Sequence, residues 1–269
     1  MCIRDRVWPV PEDVFTHFPF LTGEHPLLFV ALMTFILIMS SVTMVLAVNY
    51  GHKMKKNKVI LWLSLTIVGG IMFLGSQAWE WGHFIHGDKG GIDTKNEFVV
   101  HVAKGETLSS VYKLMDIDKY SNDHSLKYFG LDELTKEMKV TFDEQNINSV
   151  IEKLKSKPEF NIRKADRTYL SNEQSIKYLR ENATKVVLGA NLVDNEYGHR
   201  LFADYFFFIT GFHGFHVFSG VVILIIILIN VIKGTYERRG HYEMVEKVGL
   251  YWHFVDLVWV FVFTFFYLV

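Results

Sequence analysis

The chain of 269 residues contains four long runs with at most one charged residue, and these runs constrain its fold more than any other feature. Residues 26–48, 59–79 and 205–232 contain no lysine, arginine, aspartate or glutamate, and residues 248–269 contain only Asp256. A bilayer core of about 30 Å is crossed by about 20 helical residues. Because lipid offers the backbone no hydrogen-bond partner, such segments are helices. The sequence therefore predicts four transmembrane helices.

The short connections between these runs predict the orientation. Residues 51–58 contain four lysines and no acid, and residues 233–247 contain two lysines and two arginines against three glutamates. Basic residues in short loops mark the cytoplasmic side, and acidic residues count little. We therefore expect both loops in the cytoplasm of a bacterium. Both termini and the long connection 87–199 are then expected on the periplasmic side of the inner (plasma) membrane.

The long connection differs in composition from the apolar runs, since charges of both signs alternate with apolar residues. Residues 97–103 alternate like a strand. Residues 106–115 and 147–154 have helical periodicity. Residues 171–174 (SNEQ) form a capping box ahead of a short helix. Residues 87–199 are therefore predicted to be a small inserted α+β domain.

The predicted fold class is an all-α polytopic membrane helix bundle with this α+β extramembrane domain inserted. Its predicted parts are an N-terminal extramembrane segment (1–25), helices one and two (26–86), the insert (87–199), and helices three and four (200–269). The net charge of −1 gives no basic field for nucleic acid. The single cysteine, Cys2, excludes an internal disulfide and any site built from a cysteine pair.

Four ionisable residues fall within the last two apolar runs: His213, His216, His253 and Asp256. A charged side chain at the bilayer centre costs about 2.5–3.5 kcal/mol, so such residues usually have a partner. At about 1.5 Å per residue, His216 and Asp256 arrive at nearly the same depth. We predict interhelical polar contacts for all four residues, including one between His216 and Asp256.

Ligation of a cofactor is an alternative role for His213 and His216. Residues three apart on one helix share a face and cannot clamp a haem between them. A metal site needs three or four ligands. A di-iron bundle needs two Glu-x-x-His motifs, and Glu80 to His83 is the only one in the sequence. Helix packing beside the flanking glycines is the favoured interpretation.

A second polar group is predicted at the outer ends of helices two and three. Glu80 and His83 end one helix, and Arg200 and Asp204 begin the next. These four residues are expected to pair with each other or to hold a lipid headgroup.

Several motifs resemble a known family. Residues 210–216 (TGFHGFH), Gly220 and residues 251–259 (YWHFVDLVW) resemble the last two helices of cytochrome c oxidase subunit III, in the haem-copper oxidase family. Residues 40–43 (SSVT) and 77–80 (QAWE) are similar to the two preceding helices. The blocks follow in the family's order.

The resemblance implies an accessory, metal-free subunit of a proton-pumping terminal oxidase, which passes electrons from cytochrome c to oxygen. Such a subunit has no active site of its own. It binds structural phospholipid, supports proton uptake and stabilises the catalytic subunit. The haems and copper lie on its partners, oxidase subunits I and II. The family topology also places the outer end of helix two and the C-terminus outside.

Two departures from the family pattern are expected. The family has five or seven helices, so the chain is interpreted as N-terminally truncated. The insert 87–199 replaces a short loop and is a candidate contact for cytochrome c or a partner complex. Two alternatives stay open: the equivalent subunit of a quinol oxidase or nitric-oxide reductase, and a non-enzymatic membrane scaffold that displays a periplasmic domain.

Overall fold

The structure is a computed structural model. It describes residue 9, residues 11–15, residue 18, and residues 27–96, 98–116, 144–190 and 194–268. Most of the predicted N-terminal segment, 1–25, lies outside the described residues.

Helices and strands alternate in an order that separates the apolar runs from the insert. They are α1 (Pro11–Val14), α2 (Leu28–His52), α3 (Lys56–His86), β1 (Gly91–Thr94), β2 (Val99–Lys104), β3 (Thr107–Leu108), α4 (Val111–Met115), α5 (Glu144–Ser156), β4 (Phe160–Arg163), α6 (Asn172–Asn182), β5 (Ala183–Val187), α7 (Arg200–Ile232), α8 (Thr235–Arg239) and α9 (Glu243–Phe263). A π-helical turn, Thr264–Leu268, continues α9.

Four helices, α2, α3, α7 and α9, are long and apolar enough to cross a membrane, which confirms the four predicted spans. In α2 the buried positions recur every three or four residues, as expected for one packing face of a helix. They are Phe29, Val30, Met33, Leu37, Ser40, Met44, Ala47 and Gly51. Large apolar side chains point outward, as in α7, where Phe208 is 70% exposed.

The insert contains a five-stranded antiparallel sheet in which β2 pairs with β1, β3 and β4, and β1 also pairs with β5. The predicted strand at 97–103 corresponds to β2, and Glu97 lies outside the described residues. The helix predicted over 106–115 is wrong in its first part. Gly105 has a φ of +65°, and this turn returns Thr107–Leu108 against β2 as a strand.

The insert has a hydrophobic core of its own, built from both strands and helices. Its buried members are Ile92, Val100, Val102, Val111, Leu114, Val150, Ile151, Leu154, Phe160, Ile162, Leu179 and Val186. The helix predicted at 147–154 lies within α5, and the predicted capping box of Ser171 and Gln174 begins α6. The small sheet and these helices support an α+β unit.

Backbone contacts divide the chain into two compact units. One contains Gly82–Asp204, and the other contains Val10–Trp81 and Tyr205–Val269. The end of α3 belongs to the insert's unit because Phe84 stacks on Tyr197 at 4.5 Å and its carbonyl accepts from the Tyr197 hydroxyl at 3.1 Å. The predicted insert, 87–199, lies five residues inside this unit at each end, and its boundaries stay predictions.

Candidate functional site

Tryptophan side chains connect α9 to α2. The Trp252 indole Nε1 donates to Ser40 Oγ at 3.1 Å, and the Trp259 Nε1 donates to Thr34 Oγ1 at 3.0 Å. Both tryptophans are fully buried. As residue numbers rise along α9, they fall along α2, so the two helices are antiparallel. In a hydrocarbon environment such bonds give each indole the acceptor that lipid cannot supply.

A third indole connects α3 to α7. Trp81 Nε1 donates to Thr210 Oγ1 at 3.0 Å, and the Thr210 hydroxyl itself donates to the Phe206 carbonyl at 2.6 Å. A Cβ on Gly211 would lie 3.0 Å from the Trp81 ring, whereas one on Gly214 would meet nothing within 4 Å. Of the two glycines beside His213, Gly211 is thus the one at a close helix contact.

His213 lies at the meeting point of three helices and is 2% exposed. Its ring packs edge to face with Phe73 of α3 at 5.7 Å and tilts against Trp259 of α9 at 5.1 Å. Neither ring nitrogen has a hydrogen-bond partner among the described residues. The contacts of His213 across helices are therefore aromatic, whereas the predicted contacts were polar.

The His216 side chain bonds within its own helix. Its Nδ1 donates to the Phe212 carbonyl at 2.8 Å, and the His216 ring packs on the Phe212 ring at 4.6 Å. The link to α9 runs through the backbone instead: the Tyr251 hydroxyl donates to the His216 carbonyl at 3.2 Å and bonds with Ser219 Oγ at 2.8 Å. The structure does not bring the His216 side chain to Asp256, because its ring turns back along α7 towards Phe212.

His253 and Asp256 instead meet α2. His253 Nδ1 lies 3.0 Å from Ser41 Oγ. Ser41 and His253 both lie close to the Asp256 carboxyl group. Asp256 Oδ1 is buried without a hydrogen-bond partner among the described residues. Three polar side chains are thus gathered between the two helices.

Glu80 is buried near the C-terminal end of α3, with 5% exposure. Its Oε2 accepts from Gln77 Nε2 at 2.9 Å and from the Tyr267 hydroxyl at 3.1 Å, so it connects α3 to the turn that ends the chain's last helix. Glu80 Oε1 is buried without a hydrogen-bond partner among the described residues. The Glu80 carboxyl group therefore makes its hydrogen bonds inside the helix bundle.

The other three residues predicted at the outer interface belong to the insert's compact unit. The His83 carbonyl accepts from Gly87 N at 2.9 Å. Arg200 begins α7, and Asp204 lies one turn later and is half-buried. Their pairing with each other or with a lipid headgroup stays a prediction.

A second buried carboxylate organises the base of the insert. Glu196 is 2% exposed. Its Oε1 accepts from the backbone N–H groups of Asp88 and Lys89 at 2.8 and 3.1 Å, and its Oε2 accepts from Gly189 N at 2.7 Å. Gly189 has a φ of +67°, and a Cβ there would lie 1.9 Å from the Ile85 carbonyl. The close approach of these loops therefore requires both the carboxylate and the glycine.

This carboxylate also affects the phenols around it. Burial raises the pKa of Tyr197 well above its usual value, and the charges of Glu196 and Asp88 raise it further. Burial likewise raises the pKa of Tyr112, with the same two charges adding to the effect. His101 Nε2 lies 2.7 Å from the Glu196 carbonyl oxygen. Both tyrosines are therefore neutral at physiological pH, and the Glu196 loop is tied to β2.

Sequence reasoning missed Ser41, Tyr267 and Glu196. A hydroxyl residue at the depth of His253 in an antiparallel neighbour was the available signal for Ser41. Tyr267 had no sequence signal, because its contact with Glu80 depends on how α3 and α9 pack. Glu196 reads as a solvated loop residue, since nothing local shows that backbone N–H groups from two other loops converge on it.

Within the described parts of the chain, no group of three histidine, cysteine, aspartate or glutamate side chains is placed to hold a metal ion. The predicted absence of a resident metal or haem stays a prediction.

The C-terminal helices of this bundle are similar to a known family. The family model described as "Cytochrome c oxidase subunit III" matches residues 191–269, which include α7 and α9. Residues 191–269 are similar to the cytochrome c oxidase subunit III family. With its apolar helices, the chain is a multi-pass membrane protein.

Individual relatives support the subunit III region. A probable cytochrome c oxidase subunit 3 of Rickettsia conorii is 46% identical over 70 residues, 25% of this chain and 24% of that protein. Cytochrome c oxidase subunit 3 of Marchantia polymorpha is 44% identical over 64 residues, 24% of each chain. The protein of that name from Thermostichus vulcanus is 40% identical over 79 residues, 27% of this chain and 37% of the relative. The matched part of the chain thus spans 24–37% of the length of these relatives.

The subunit III region contains the polar residues of α7 and α9, including His213, His216, His253 and Asp256. The blocks at 40–43 and 77–80 lie outside it, so their resemblance to the family stays a prediction. The contacts of Ser41 and Glu80 described above nevertheless connect both blocks to the subunit III region.

Proposed function

We propose that the chain is an accessory subunit of a proton-pumping haem-copper terminal oxidase that transfers electrons from cytochrome c to oxygen. It assembles with oxidase subunits I and II, which carry the haems and copper. It stabilises the catalytic subunit and binds structural phospholipid. The single observation that supports this most strongly is the family match over residues 191–269.

The contacts between the membrane helices fit such a supporting role. Side-chain hydrogen bonds hold one helix against another. They include the two indole–hydroxyl bonds, the bond between Tyr267 and Glu80, and the contact between Ser41 and His253. Interhelical hydrogen bonds and close small-residue packing are what stabilise helix bundles in lipid. A rigid bundle of this kind gives a partner membrane protein a fixed surface to pack against.

The membrane orientation follows from the loop charges. Residues 51–58 and 233–247 lie on the cytoplasmic side in this proposal, and both termini and the insert lie in the periplasm of a bacterium. The insert is then on the side where a soluble electron donor approaches. We propose that it contacts cytochrome c or a partner complex; deletion of residues 90–195 without effect on assembly or cytochrome c oxidation would refute this contact.

Two other functions share part of this support. A quinol oxidase or nitric-oxide reductase subunit would have the same bundle, because the donor site lies on another subunit. A partner protein with a cysteine-pair copper domain indicates cytochrome c as donor, and its absence favours quinol. The insert's own hydrophobic core also fits a non-enzymatic scaffold that displays a folded periplasmic domain.

The proposal is tested by purifying the tagged protein from its native membrane in mild detergent. We expect haem absorbance and cyanide-sensitive oxygen consumption to co-purify with it, together with subunits I and II. Purification of the intact chain without any haem absorbance would contradict the oxidase proposal and favour the scaffold.

A further inference from the structure

The polar group formed by Ser41, His253 and Asp256, here called the central triad, lies at the middle of two membrane helices. Ser41 is near the midpoint of α2 (Leu28–His52), and His253 and Asp256 are near the midpoint of the span Glu243–Leu268. The triad is therefore at the depth where a bilayer is driest and supplies no donor or acceptor.

The central triad is also at the surface of the bundle. Ser41, His253 and Asp256 are each only partly buried. This distinguishes them from Ser40, Thr210 and His213, which are buried inside the bundle. A half-exposed histidine and carboxyl group at this depth would face hydrocarbon if nothing covered them.

Helical spacing places the triad inside an apolar two-helix face. On α2, Ser41 lies three residues after Ile38 and four before Val45, both exposed. The same spacing on α9 puts His253 between Leu250, which is 67% exposed, and Leu257. The result is an apolar rim around a polar centre, which we call the α2/α9 face.

The hydrogen bond within the triad uses only one side of the histidine ring. The contact with Ser41 occupies His253 Nδ1 and, among the described residues, leaves the ring's Nε2 for another group. Asp256 Oδ1 is enclosed within the bundle and has no hydrogen-bond partner in the part of the chain that the structure describes, so His253 Nε2 is the group that a neighbouring helix can reach.

We propose that the α2/α9 face is the docking surface for a transmembrane helix of a partner subunit of the oxidase. That helix carries a hydrogen-bonding side chain, such as serine, threonine, asparagine or glutamine, at mid-bilayer depth, flanked by apolar residues. The inference rests on the proposed function for the identity of the partner. Hydrogen-bond complementarity selects a protein helix over lipid, because an acyl chain offers His253 Nε2 no hydrogen-bond partner.

Photo-cross-linking in the native membrane tests this proposal on the full chain. A benzoylphenylalanine probe replaces Leu257 on the α2/α9 face, and a second chain carries the probe at Phe215, an exposed position on α7. We expect the probe at 257 to form an adduct with a transmembrane peptide of an oxidase subunit, identified by mass spectrometry. The probe at 215 is expected to give lipid adducts.

Substitutions in the probe-bearing chain test the role of the triad itself. His253→Leu is expected to lower the yield of the subunit adduct about threefold or more, the effect of losing one interhelical hydrogen bond. The matched change His216→Leu is expected to leave the yield unchanged. If His253→Leu lowers the amount of chain in the membrane, Ser41→Ala supplies the same measurement with a smaller change.

Three results would refute the docking surface. The first is lipid adducts alone at position 257, and the second is an adduct with a second copy of this chain. The third is a subunit adduct whose yield is unchanged by both His253→Leu and Ser41→Ala. The proposed function is read separately from the haem spectrum of the same preparation. Haem with only lipid adducts at 257 refutes the surface and keeps the function. A triad-dependent adduct with a transmembrane peptide of a haem-free complex keeps the surface and refutes the function.

Discussion

Buried polar groups are satisfied differently in the helix bundle and in the insert. In the bundle, side chains bond to side chains on other helices, as Trp252 does to Ser40 and Tyr267 does to Glu80. In the insert, the carboxylate of Glu196 accepts from three backbone N–H groups of two loops. Helices in lipid already satisfy their own backbone, so only side chains remain to be paired. Loops have free backbone donors, and a single carboxylate gathers them.

The largest expected effect tests the insert's side of this comparison. Glu196→Ala removes the side-chain acceptor of three backbone N–H groups, of which those of Lys89 and Gly189 are in buried hydrogen bonds. A buried N–H group that loses its acceptor costs about 1–3 kcal/mol, so we expect the insert to lose at least about 2 kcal/mol of stability. The measurement is hydrogen exchange of the Asp88, Lys89 and Gly189 amides in the full chain. The exposed Glu181→Ala is the control and is expected to change stability by less than about 0.5 kcal/mol.

The next test concerns the helix bundle, where helices approach each other closely at glycines. A Cβ on Gly70 would lie 2.6 Å from the Trp252 ring and 2.7 Å from Val221, whereas one on Gly75 of the same helix would meet nothing within 4 Å. Gly70→Ala is expected to destabilise the bundle by about 1–3 kcal/mol through overpacking.

Gly75→Ala is the matched control and is expected to be neutral or slightly stabilising, because alanine favours a helix over glycine. Unfolding of both variants in detergent by heat or by denaturing surfactant gives the comparison. Equal stability of the two variants would contradict the close approach of Trp252.

A smaller effect is expected for the hydroxyl bonds. Tyr267→Phe leaves Glu80 Oε2 with Gln77 as its remaining described donor and is expected to cost about 1–2 kcal/mol. Tyr251→Phe is expected to cost about 0.6 kcal/mol. Its effect is smaller because Ser219 Oγ still donates to the His216 carbonyl at 2.8 Å. A larger loss for Tyr251→Phe in the same unfolding assay would reverse this ranking.

The smallest effect concerns a surface carboxylate of the insert. Hydrogen bonds from Lys153 and Lys157 lower the pKa of Asp116 from 3.8 to about 2. A lowered pKa in the folded state adds stability above the unfolded value near 3.8, and this stability is lost as pH falls towards 2.

We therefore expect thermal unfolding of the insert to shift downward between pH 4 and pH 2, and to shift less in Asp116→Asn. The exposed Glu106→Gln is the control and should keep the full shift. Identical pH profiles for wild type and Asp116→Asn would show that the two lysines do not stabilise the carboxylate in solution.

The two regions also differ in how far their sequences predict them. Charge depletion located all four membrane helices, because lipid imposes one rule on every residue of a span. The contacts of the polar residues were harder to predict from the sequence. The prediction for His216 assumed that equal depth means contact, yet contact also requires the right helix face, and its side chain turns to Phe212.

In the insert, short sequence motifs predicted the structure correctly where the contacts are between residues close in sequence. The capping box of Ser171 and Gln174 was predictable because both residues lie in one turn. The strand Thr107–Leu108 was misjudged as helix because its pairing depends on the turn at Gly105. Glu196 was invisible because its donors come from residues about a hundred positions earlier as well as from nearby Gly189.

The rate at which oxygen consumption decays during turnover tests the proposed supporting role most directly. Native membranes with and without the chain are supplied with reduced cytochrome c, and oxygen uptake is followed until it stops. We predict that membranes lacking the chain retain haem and begin to consume oxygen but lose this activity faster, and that the restored chain reverses the effect. An unchanged initial rate and an unchanged decay without the chain would contradict the proposal that it stabilises the oxidase.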